Sequence, residues 1–223
     1  MPPATPPPVL LRVAELFASI QGESSFAGLP CSFVRLAGCD LRCSWCDTAW
    51  AQPPHSGQAM SIPEILAALD EHALGLVELT GGEPLQQAAA IPLLEAMLSA
   101  GYRVLLETSG ACDIGPVPAG VHIILDLKGP SSGQTHRMRW DIIPKLPASA
   151  EIKIVLANRS DYEWALDIMG EHDLAARGPV LFSPISTTLP PRDLAAWMVA
   201  DRSQARLQLQ LHKYIWSPDE KGV

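Results

Sequence analysis

The chain has 223 residues, of which 48% are hydrophobic and 18% charged, and this is enough apolar material for the core of one domain of ordinary size. Sixteen lysines and arginines stand against 24 aspartates and glutamates, a formal charge of -8, which disfavours a nucleic-acid or membrane-surface partner. The apolar runs are much shorter than the ~20 residues that a membrane-spanning helix needs, so we expect no transmembrane segment.

The first ten residues, MPPATPPPVL, predict a flexible proline-rich tail, because they contain neither the charged start nor the apolar stretch of a secretory signal. We therefore expect a cytoplasmic protein in which residues 1–223 form a single domain behind this tail. The five cysteines fit that compartment. An odd number of cysteines cannot all pair in disulfides within one chain, and three cysteines close together are typical of a metal centre.

Apolar runs rich in valine, isoleucine and leucine recur along the chain and predict buried strands. About four helix patterns lie between them. In chain order, the predicted strands are residues 31–36, 76–79, 102–106, 121–127, 151–156, 180–182 and 207–211.

The predicted helices have recognisable boundaries. Ser61 with Glu64, and Ser160 with Glu163, have the spacing of capping boxes at two helix starts. A third helix, over residues 91–100, ends where Gly101 can adopt a left-handed conformation. A fourth helix is predicted over residues 192–201, after two prolines.

Strands that alternate with helices pair in parallel through right-handed crossovers, so the predicted fold class is α/β, with an open sheet or an incomplete barrel. Six or seven strands are fewer than a complete eightfold barrel requires. We expect a partial parallel βα barrel in which loops replace some crossover helices. Ligands bind such folds at the carboxyl ends of the strands.

Three polar segments follow three consecutive predicted strands. Residues 39–47 come first and are called the cysteine loop below, TGGEP at 80–84 comes second, and TSG at 108–110 third. Because the carboxyl ends of parallel strands meet at one edge of a sheet, we expect the three segments to share a pocket.

The cysteine loop reads CDLRCSWCD, with Cys39, Cys43 and Cys46 in the pattern Cys-x-x-x-Cys-x-x-Cys. Three thiolates on so short a loop can surround one inorganic centre. One interpretation is a structural zinc site completed by His55. The other is a 4Fe-4S cluster with three protein ligands and one open iron, which could bind and activate a cofactor.

The two remaining thiols, Cys31 and Cys112, could in principle close that fourth position. Cys31 lies within a predicted strand and Cys112 follows the end of another. A plain buried or loop cysteine is the simpler interpretation of each.

The spacing of the cysteine loop resembles the signature of the radical S-adenosylmethionine (SAM) superfamily. The segment Gly81-Gly82-Glu83 after a strand is similar to the GGE motif of the same superfamily. The resemblance implies that the open iron chelates the methionine part of SAM, and that reduction of the cluster yields a 5′-deoxyadenosyl radical. Glycines let the backbone approach such a ligand, and a carboxylate can receive its ammonium group.

The flanking segments narrow the resemblance. Four segments together resemble the 7-carboxy-7-deazaguanine synthases: ELFASIQGESSFAGLPCSFVRLAGCDLRCSWCDT, LTGGEPL, LLETSG and LQLHKYIW. The resemblance runs from about Glu15 to Trp216. It implies a carbon–nitrogen lyase of queuosine or deazapurine biosynthesis. That enzyme would contract the ring of 6-carboxy-5,6,7,8-tetrahydropterin, after hydrogen abstraction from C6, and would release ammonia. Mg²⁺ would orient the substrate carboxylate.

Carried over residue by residue, the resemblance implies three groups of site residues. The 4Fe-4S ligands, which generate the radical, would be Cys39, Cys43 and Cys46, and the Mg²⁺ contact would be Thr48. The SAM site would comprise Trp45, Cys46, Asp47, Gly82, Glu83, Asp126, Leu127, Lys128, Ser183, Pro184, Ile185 and Ser186. The substrate site would comprise Ile20, Gln21, Gly22, Arg35, Thr80 and Pro218, although Pro218 is not the last residue here, as the matching proline is in some relatives.

Several of these residues also have purely structural interpretations. A solvent-facing or solvated strand residue would account for Arg35 and for Lys128, a capping role for Thr48, and core filling for Trp45. Gln21 and Gly22 could form only a turn. His212, among alternating leucines, is as readily a core histidine as a catalytic one, and we assign it no role.

Two alternatives at the level of function stay open. A glycyl-radical activase shares the cysteine spacing but would not need SIQGE, CDT or HKY, and a zinc or iron–sulfur electron-carrying module would need no substrate pocket. For the preferred family, the resemblance implies a flavodoxin or ferredoxin as reductant and a homodimer as the assembly.

Overall fold

One mixed sheet organises the chain, and the computed structural model describes residues 9–217, 220 and 222 of it. Among these residues the strands are β1 (Leu10–Ile20), β2 (Pro30–Leu36), β3 (Gln58–Ser61), β4 (Leu76–Gly81), β5 (Arg103–Thr108), β6 (His122–Leu127), β7 (Glu151–Leu156), β8 (Val180–Pro184) and β9 (Arg206–Leu207). The helices are α1 (Ile62–His72), α2 (Ala90–Ser99), α3 (Arg159–Glu171), α4 (Leu174–Arg177), α5 (Pro191–Ala200) and α6 (His212–Ile215).

The strand order is β3-β1-β2-β4-β5-β6-β7-β8-β9. Strand β1 pairs antiparallel with β2 and β3, and every pairing from β2 to β9 is parallel. Within the described residues the edge strands β3 and β9 do not pair, so the curved sheet is not closed. The predicted partial parallel βα barrel is confirmed.

Helices cover the outer face of the sheet in two apolar clusters. Helices α1 and α2 pack their buried residues against β4, where Val77 and Leu79 point outward. Helices α3 and α5 do the same against β7 and β8. Because side chains alternate along a strand, Glu78 and Thr80 of β4 point to the inner face instead.

The amino end of the barrel is filled by the loop between β1 and β2, residues 21–29. Phe26 of this loop joins the inner apolar cluster with Phe17, Phe33 and Leu105. The backbone N–H of Ser25 donates to the Glu151 carboxylate at 2.9 Å. The β1–β2 loop therefore covers the amino end of the barrel.

Some predicted elements differ from the structure. Strands β1 and β3 were not predicted, because β1 carries polar residues, a bulge near Glu15 and no continuous apolar run. The last predicted strand, 207–211, is reduced to the two residues of β9, and Leu10 belongs to β1 rather than to the tail. No helix in the described part of the chain is both long and apolar enough to cross a bilayer.

The two predicted capping boxes have different outcomes. Ser61 and Glu64 form the box at α1 as expected. The box at Ser160 and Glu163 is wrong, because α3 begins earlier and Asn158 is its N-cap, accepting a hydrogen bond from the Asp161 N–H at 3.0 Å. Gly101 does adopt the expected left-handed conformation after α2, with φ of 90°.

Candidate active site

The carboxyl ends of β2, β4, β5, β6 and β7 surround a cavity of about 550 Å³. The cysteine loop, the Gly81–Gly82 turn and the Thr108–Ser109 turn all line it. The expectation that three polar segments share one pocket is confirmed, because β2, β4 and β5 are neighbours in the sheet.

Backbone hydrogen bonds fix the beginning and the middle of the cysteine loop. The Cys39 N–H donates to the Gln52 carbonyl at 3.0 Å, and the Ser44 N–H donates to the Ser132 carbonyl at 3.2 Å. The Ser44 hydroxyl adds a bond of 2.6 Å to the carbonyl of Ser131. The loop is thereby held against the residues that follow β6.

The three cysteines of the loop are suited to an iron–sulfur cluster. Cys39, Cys43 and Cys46 are free, half-buried thiols that line the same cavity. Burial raises the pKa of the Cys39 and Cys43 thiols, in Cys43 to about 11, so binding of iron would have to displace their protons. No three His, Cys, Asp or Glu side chains among the described residues are arranged around a single metal ion.

The other candidate ligands lie elsewhere. Cys31 is buried in β2, and neither it nor Cys112 lines the cavity. His55, the residue proposed to complete a zinc site, is exposed and also outside the cavity wall. The cysteines that face the cavity are therefore Cys39, Cys43 and Cys46, the number of protein ligands in a cluster with one open iron.

Most of the predicted SAM-site residues line the cavity. The Lys128 ammonium lies 3.0 Å from the Asp126 carboxylate and 5.2 Å from the centre of the Trp45 ring. Trp45 Nε1 and Asp126 Oδ1 are buried polar atoms without a hydrogen-bond partner among the described residues. Such atoms are rare in a finished core and fit a site that is completed by a polar ligand. The predicted SAM-site residues in the cavity wall are Trp45, Cys46, Asp47, Gly82, Asp126, Lys128, Ile185 and Ser186.

Four predicted residues are not in that wall, and a fifth lies outside the described residues. Leu127 is buried in the outer apolar cluster, because its side chain points away from those of Asp126 and Lys128 at the end of β6. Ser183 is fully buried in β8, and Pro184 borders a smaller neighbouring pocket. Pro218 lies outside the described residues.

The fourth of these residues, Glu83, is fully buried, and its side chain connects two turns through hydrogen bonds. Its carboxylate accepts hydrogen bonds from the Thr108 hydroxyl at 2.8 Å, the Ser109 N–H at 2.7 Å and the Ser109 hydroxyl. It also accepts the Leu85 N–H at 3.0 Å. These bonds tie the end of β4 to the end of β5.

The glycines of the TGGEP segment permit a close approach between two loops. A Cβ atom on Gly82 would lie 2.2 Å from the Gly38 carbonyl oxygen, beside the first cysteine. A Cβ atom on Gly81 would lie 2.3 Å from the Leu36 carbonyl oxygen, at a φ of 155°. Only glycine lets the segment lie this close to the cysteine loop.

We expect Gly82→Ala to lower the free energy of unfolding by about 3 kcal/mol, because a methyl group there overlaps backbone that cannot move freely. Urea unfolding of the metal-free protein measures this loss. Gly75→Ala is the matched control, because no atom lies within 4 Å of the added Cβ. Equal stability of the two variants would contradict the assigned packing.

Five of the predicted substrate residues, Ile20, Gln21, Gly22, Arg35 and Thr80, line the cavity. Arg35 is not a freely solvated residue, since its guanidinium contacts the Glu15 carboxylate at 3.1 Å. Thr80 donates to Glu107 at 3.0 Å. Gly22 lies against His212, whose Nδ1 would be 2.2 Å from an added Cβ.

A buried charge network at the cavity floor was not predicted. The Lys153 ammonium contacts Glu23 at 2.7 Å, Asp126 at 3.1 Å and also Glu107. Burial would raise the pKa of Glu23, but Lys153 and then His212 outweigh it and hold this pKa at about 2. The three carboxylates raise the pKa of Lys153 well above its usual range despite burial. A lysine between apolar residues of β7 was the available signal.

The segment after β9 lies beside the cavity mouth. The Leu211 N–H donates to the Gly22 carbonyl at 2.9 Å, and the Lys213 ammonium contacts the Asp47 carboxylate at 2.9 Å. Gln210 donates to Glu23 at 2.8 Å. His212 lines the cavity, so it is a wall residue and not a core histidine.

Comparison with known proteins gives a consistent result. The Radical SAM superfamily model matches residues 34–126. The 7-carboxy-7-deazaguanine synthase of Chlorobaculum tepidum is 46% identical over 216 residues, which cover 96% of this chain and 97% of that protein. The enzyme of the same name from Koribacter versatilis is 41% identical and is covered completely, with 96% of this chain.

Solved structures support the same fold. QueE from Escherichia coli superposes with a TM-score of 0.67 over 90% of this chain and 94% of that one, at 22% sequence identity. Streptococcus suis SuiB bound to its precursor peptide gives a TM-score of 0.56 at 16% identity and is covered over 47% of its length. Both likenesses concern the fold.

Proposed function

The chain belongs to the 7-carboxy-7-deazaguanine synthases, a family of radical SAM lyases of deazapurine biosynthesis, and from this premise we propose how its cavity is used. We propose that the substrate is 6-carboxy-5,6,7,8-tetrahydropterin, that its ring is contracted with loss of ammonia, and that residues 1–223 act as one domain. The observation that carries the proposal is the placement of three free thiols on the wall of a cavity that contains several charged side chains.

Cys39, Cys43 and Cys46 would hold the 4Fe-4S cluster. Together the cluster and SAM supply, when bound, the 5′-deoxyadenosyl radical that starts the reaction. Trp45, with the Lys128 ammonium over its ring, would lie along the adenosine part of SAM. The Gly82 backbone can approach the ligand because it has no side chain, and Glu83 acts on the site by fixing the Ser109 turn.

Asp126 and Lys128 point into the cavity from the end of β6 and can hydrogen-bond the ribose or the carboxylate of SAM. Ile185 and Ser186 complete the wall at the end of β8. The predicted Leu127, Ser183 and Pro184 would support this wall from behind.

Arg35 and Thr80 would bind the substrate at the level of the Gly81 turn. A planar guanidinium pairs with a carboxylate through two parallel hydrogen bonds, and Arg35 is therefore suited to the carboxylate on C6. Ile20 and the Gly22 backbone would contact the pterin from the side of β1. The buried floor excludes water, which protects a radical from side reactions.

We assign a Mg²⁺ contact to Thr48, which lines the cavity, and whose hydroxyl makes no capping hydrogen bond. One hydroxyl binds Mg²⁺ weakly, so substrate oxygens would have to complete the octahedron. Thr48→Val is expected to raise the Mg²⁺ concentration for half-maximal turnover about tenfold without changing cluster content. Thr135→Val is the control, because Thr135 is outside the cavity wall and its hydroxyl has no hydrogen-bond partner among the described residues. An unchanged Mg²⁺ dependence in Thr48→Val would count against the assignment.

The reductant and the assembly are also part of the proposal. A flavodoxin or ferredoxin would reduce the cluster, as a radical SAM enzyme requires a one-electron donor. A homodimer is supported by exposed large apolar side chains, including Val199 and Tyr214. Analytical ultracentrifugation of the cluster-loaded protein tests the dimer.

The direct test is anaerobic turnover of 6-carboxytetrahydropterin by the cluster-loaded protein with SAM, Mg²⁺ and a reductant, followed by mass spectrometry. We expect 7-carboxy-7-deazaguanine, formed only when SAM is present. SAM cleavage without conversion of the pterin would contradict the proposed substrate. Absence of both, with a full complement of iron, would contradict the radical chemistry itself.

A further inference from the structure

Glu78 is a buried carboxyl group in the cavity that the assigned roles do not use. It lies on β4, two residues before Thr80, is 4% exposed and forms part of the cavity wall. The other cavity carboxylates are paired with lysines: Glu23, Glu107 and Asp126 contact Lys153, and Asp47 contacts Lys213. Glu78 forms no ion pair in the described part of the chain, so it is the cavity carboxyl that is left for a ligand.

The hydrogen bonds around Glu78 give it a defined orientation. The Gln21 amide Nε2 donates to Glu78 Oε2, while the Gln21 Oε1 accepts the Glu23 N–H at 3.0 Å. Both ends of the Gln21 amide are thus engaged, which fixes Oε2 of Glu78. Within the described residues, Oε1 of Glu78 accepts no hydrogen bond.

Flat apolar surfaces flank this carboxyl group. Phe33 on β2 is the register neighbour of Glu78, and its ring stacks on Phe17 with centroids 5.0 Å apart and planes 12° apart. Ile124 of β6 also lines the cavity. A planar heterocycle can therefore lie against these apolar side chains with a polar edge directed at Glu78.

We propose that Glu78 selects the 2-amino-4-oxopyrimidine ring of the substrate by accepting hydrogen bonds from its 2-amino group and the adjacent ring N–H. This inference rests on the proposed function, since it takes a pterin as the ligand. The two N–H groups are parallel donors, the arrangement that a carboxylate accepts bidentately. A carboxamide cannot do so, because one of its two terminal groups is itself a donor.

The position of Arg35 fits the other end of such a ligand. Arg35 pairs in register with Thr80, two residues beyond the Phe33 and Glu78 pair. Two residues of a strand advance by about 6.6 Å, the length scale of a fused bicyclic ring. A pterin with its amino edge at Glu78 would thus present its C6 carboxylate near Arg35.

The electrostatics of Glu78 agree with this placement. Burial, and then the charge of Glu107 on β5, raise the pKa of Glu78 to about 8, and the nearby Glu23 acts in the same direction. Lys153 on β7 opposes the rise, and the thiol of Cys31 on β2 is a further titratable neighbour. Two N–H donors favour the ionised form, so affinity for the ring should increase as the pH rises through about 8.

The test compares Glu78→Gln with the unmodified enzyme, both cluster-loaded, on the tetrahydropterin and on an analogue in which hydrogen replaces the 2-amino group. Glu95→Gln, an exposed glutamate on α2, is the matched control. We expect Glu78→Gln to lower kcat/KM for the natural substrate about 100-fold, mainly through KM, and that for the analogue less than threefold. Anaerobic calorimetry of 7-carboxy-7-deazaguanine, which has the same edge, should show a similar loss of affinity.

The possible outcomes are distinct. A collapse of the preference for the 2-amino substrate, with Glu95→Gln unchanged, supports the proposal. An equal loss for both substrates would mean that Glu78 only positions Gln21. Unchanged kinetics would mean that Glu78 has no role in substrate binding. Either result overturns the inference while leaving the proposed function intact. If the unmodified enzyme does not convert the pterin, the proposed function fails and the inference with it.

Discussion

Cys43→Ala is expected to lose the iron–sulfur absorbance and to lower SAM cleavage at least about 1,000-fold, the scale for removal of a group on which the chemistry depends. Cys43 is the middle thiol of the loop, and two thiols from one short loop cannot hold a cluster that needs three. Iron and sulfide content after anaerobic reconstitution, together with the amount of 5′-deoxyadenosine formed, measure the effect.

Cys112→Ala is the matched control for this prediction. Cys112 is also a half-buried free thiol, but it does not line the cavity. We expect this variant to retain its iron and its SAM cleavage. If Cys112→Ala lost the cluster as completely as Cys43→Ala, the iron would have four protein ligands and no open coordination site for SAM.

Lys153→Met is expected to lower the free energy of unfolding by about 3–5 kcal/mol at neutral pH. The side chain is 5% exposed, and its removal leaves Glu23 and Glu107, both at least partly buried, without their cation, while Asp126 keeps only Lys128. Such a loss is a large part of the 5–15 kcal/mol that stabilises a typical domain. Urea unfolding of the metal-free protein gives the number without interference from the cluster.

The pH dependence of Lys153→Met separates charge from packing. In the unmodified protein the pKa of Glu23 is about 2, so the ion pair stabilises the fold fully above pH 4.5 and is lost as the pH falls toward 2. Without Lys153 the buried carboxyls should hold protons more tightly than in the unfolded chain. The variant should therefore become less stable as the pH rises above about 4.5, the opposite slope.

Lys145→Met provides the comparison for a surface ion pair. Lys145 contacts Asp141 at 3.3 Å, but its side chain is 52% exposed, and we expect a change below about 0.5 kcal/mol. A loss in Lys153→Met that matched this control would contradict the network, and so would a larger loss that did not vary with pH.

The features that could be predicted from the sequence are those determined by residues close together in the chain. The parallel strands have continuous apolar runs because both faces are buried, and the cysteine spacing lies within eight positions. Strand β1 was missed for the opposite reason, since it alternates between buried and exposed residues and includes a bulge.

The charge network and the role of Glu83 could not be predicted, because they depend on which strands become neighbours. Lys153 meets Asp126 from the adjacent strand, and Glu23 from a loop 130 positions away. Similarly, Glu83 was assigned to a ligand because of its motif, yet its partners Thr108 and Ser109 follow the next strand of the sheet. Only the register of the assembled sheet determines these contacts.

The bonds that hold the cysteine loop also bear on the order of events during synthesis. Ser44 bonds to Ser131 and Ser132, and Asp40 pairs with Arg137, so the loop is secured by residues about ninety positions further along the chain. A ribosome releases the three thiols well before these partners, and contacts so distant in sequence form late in folding. The nascent chain thus passes through a period in which the thiols are present but the loop has no support. We therefore expect insertion of iron and sulfide to follow completion of the fold rather than to accompany translation.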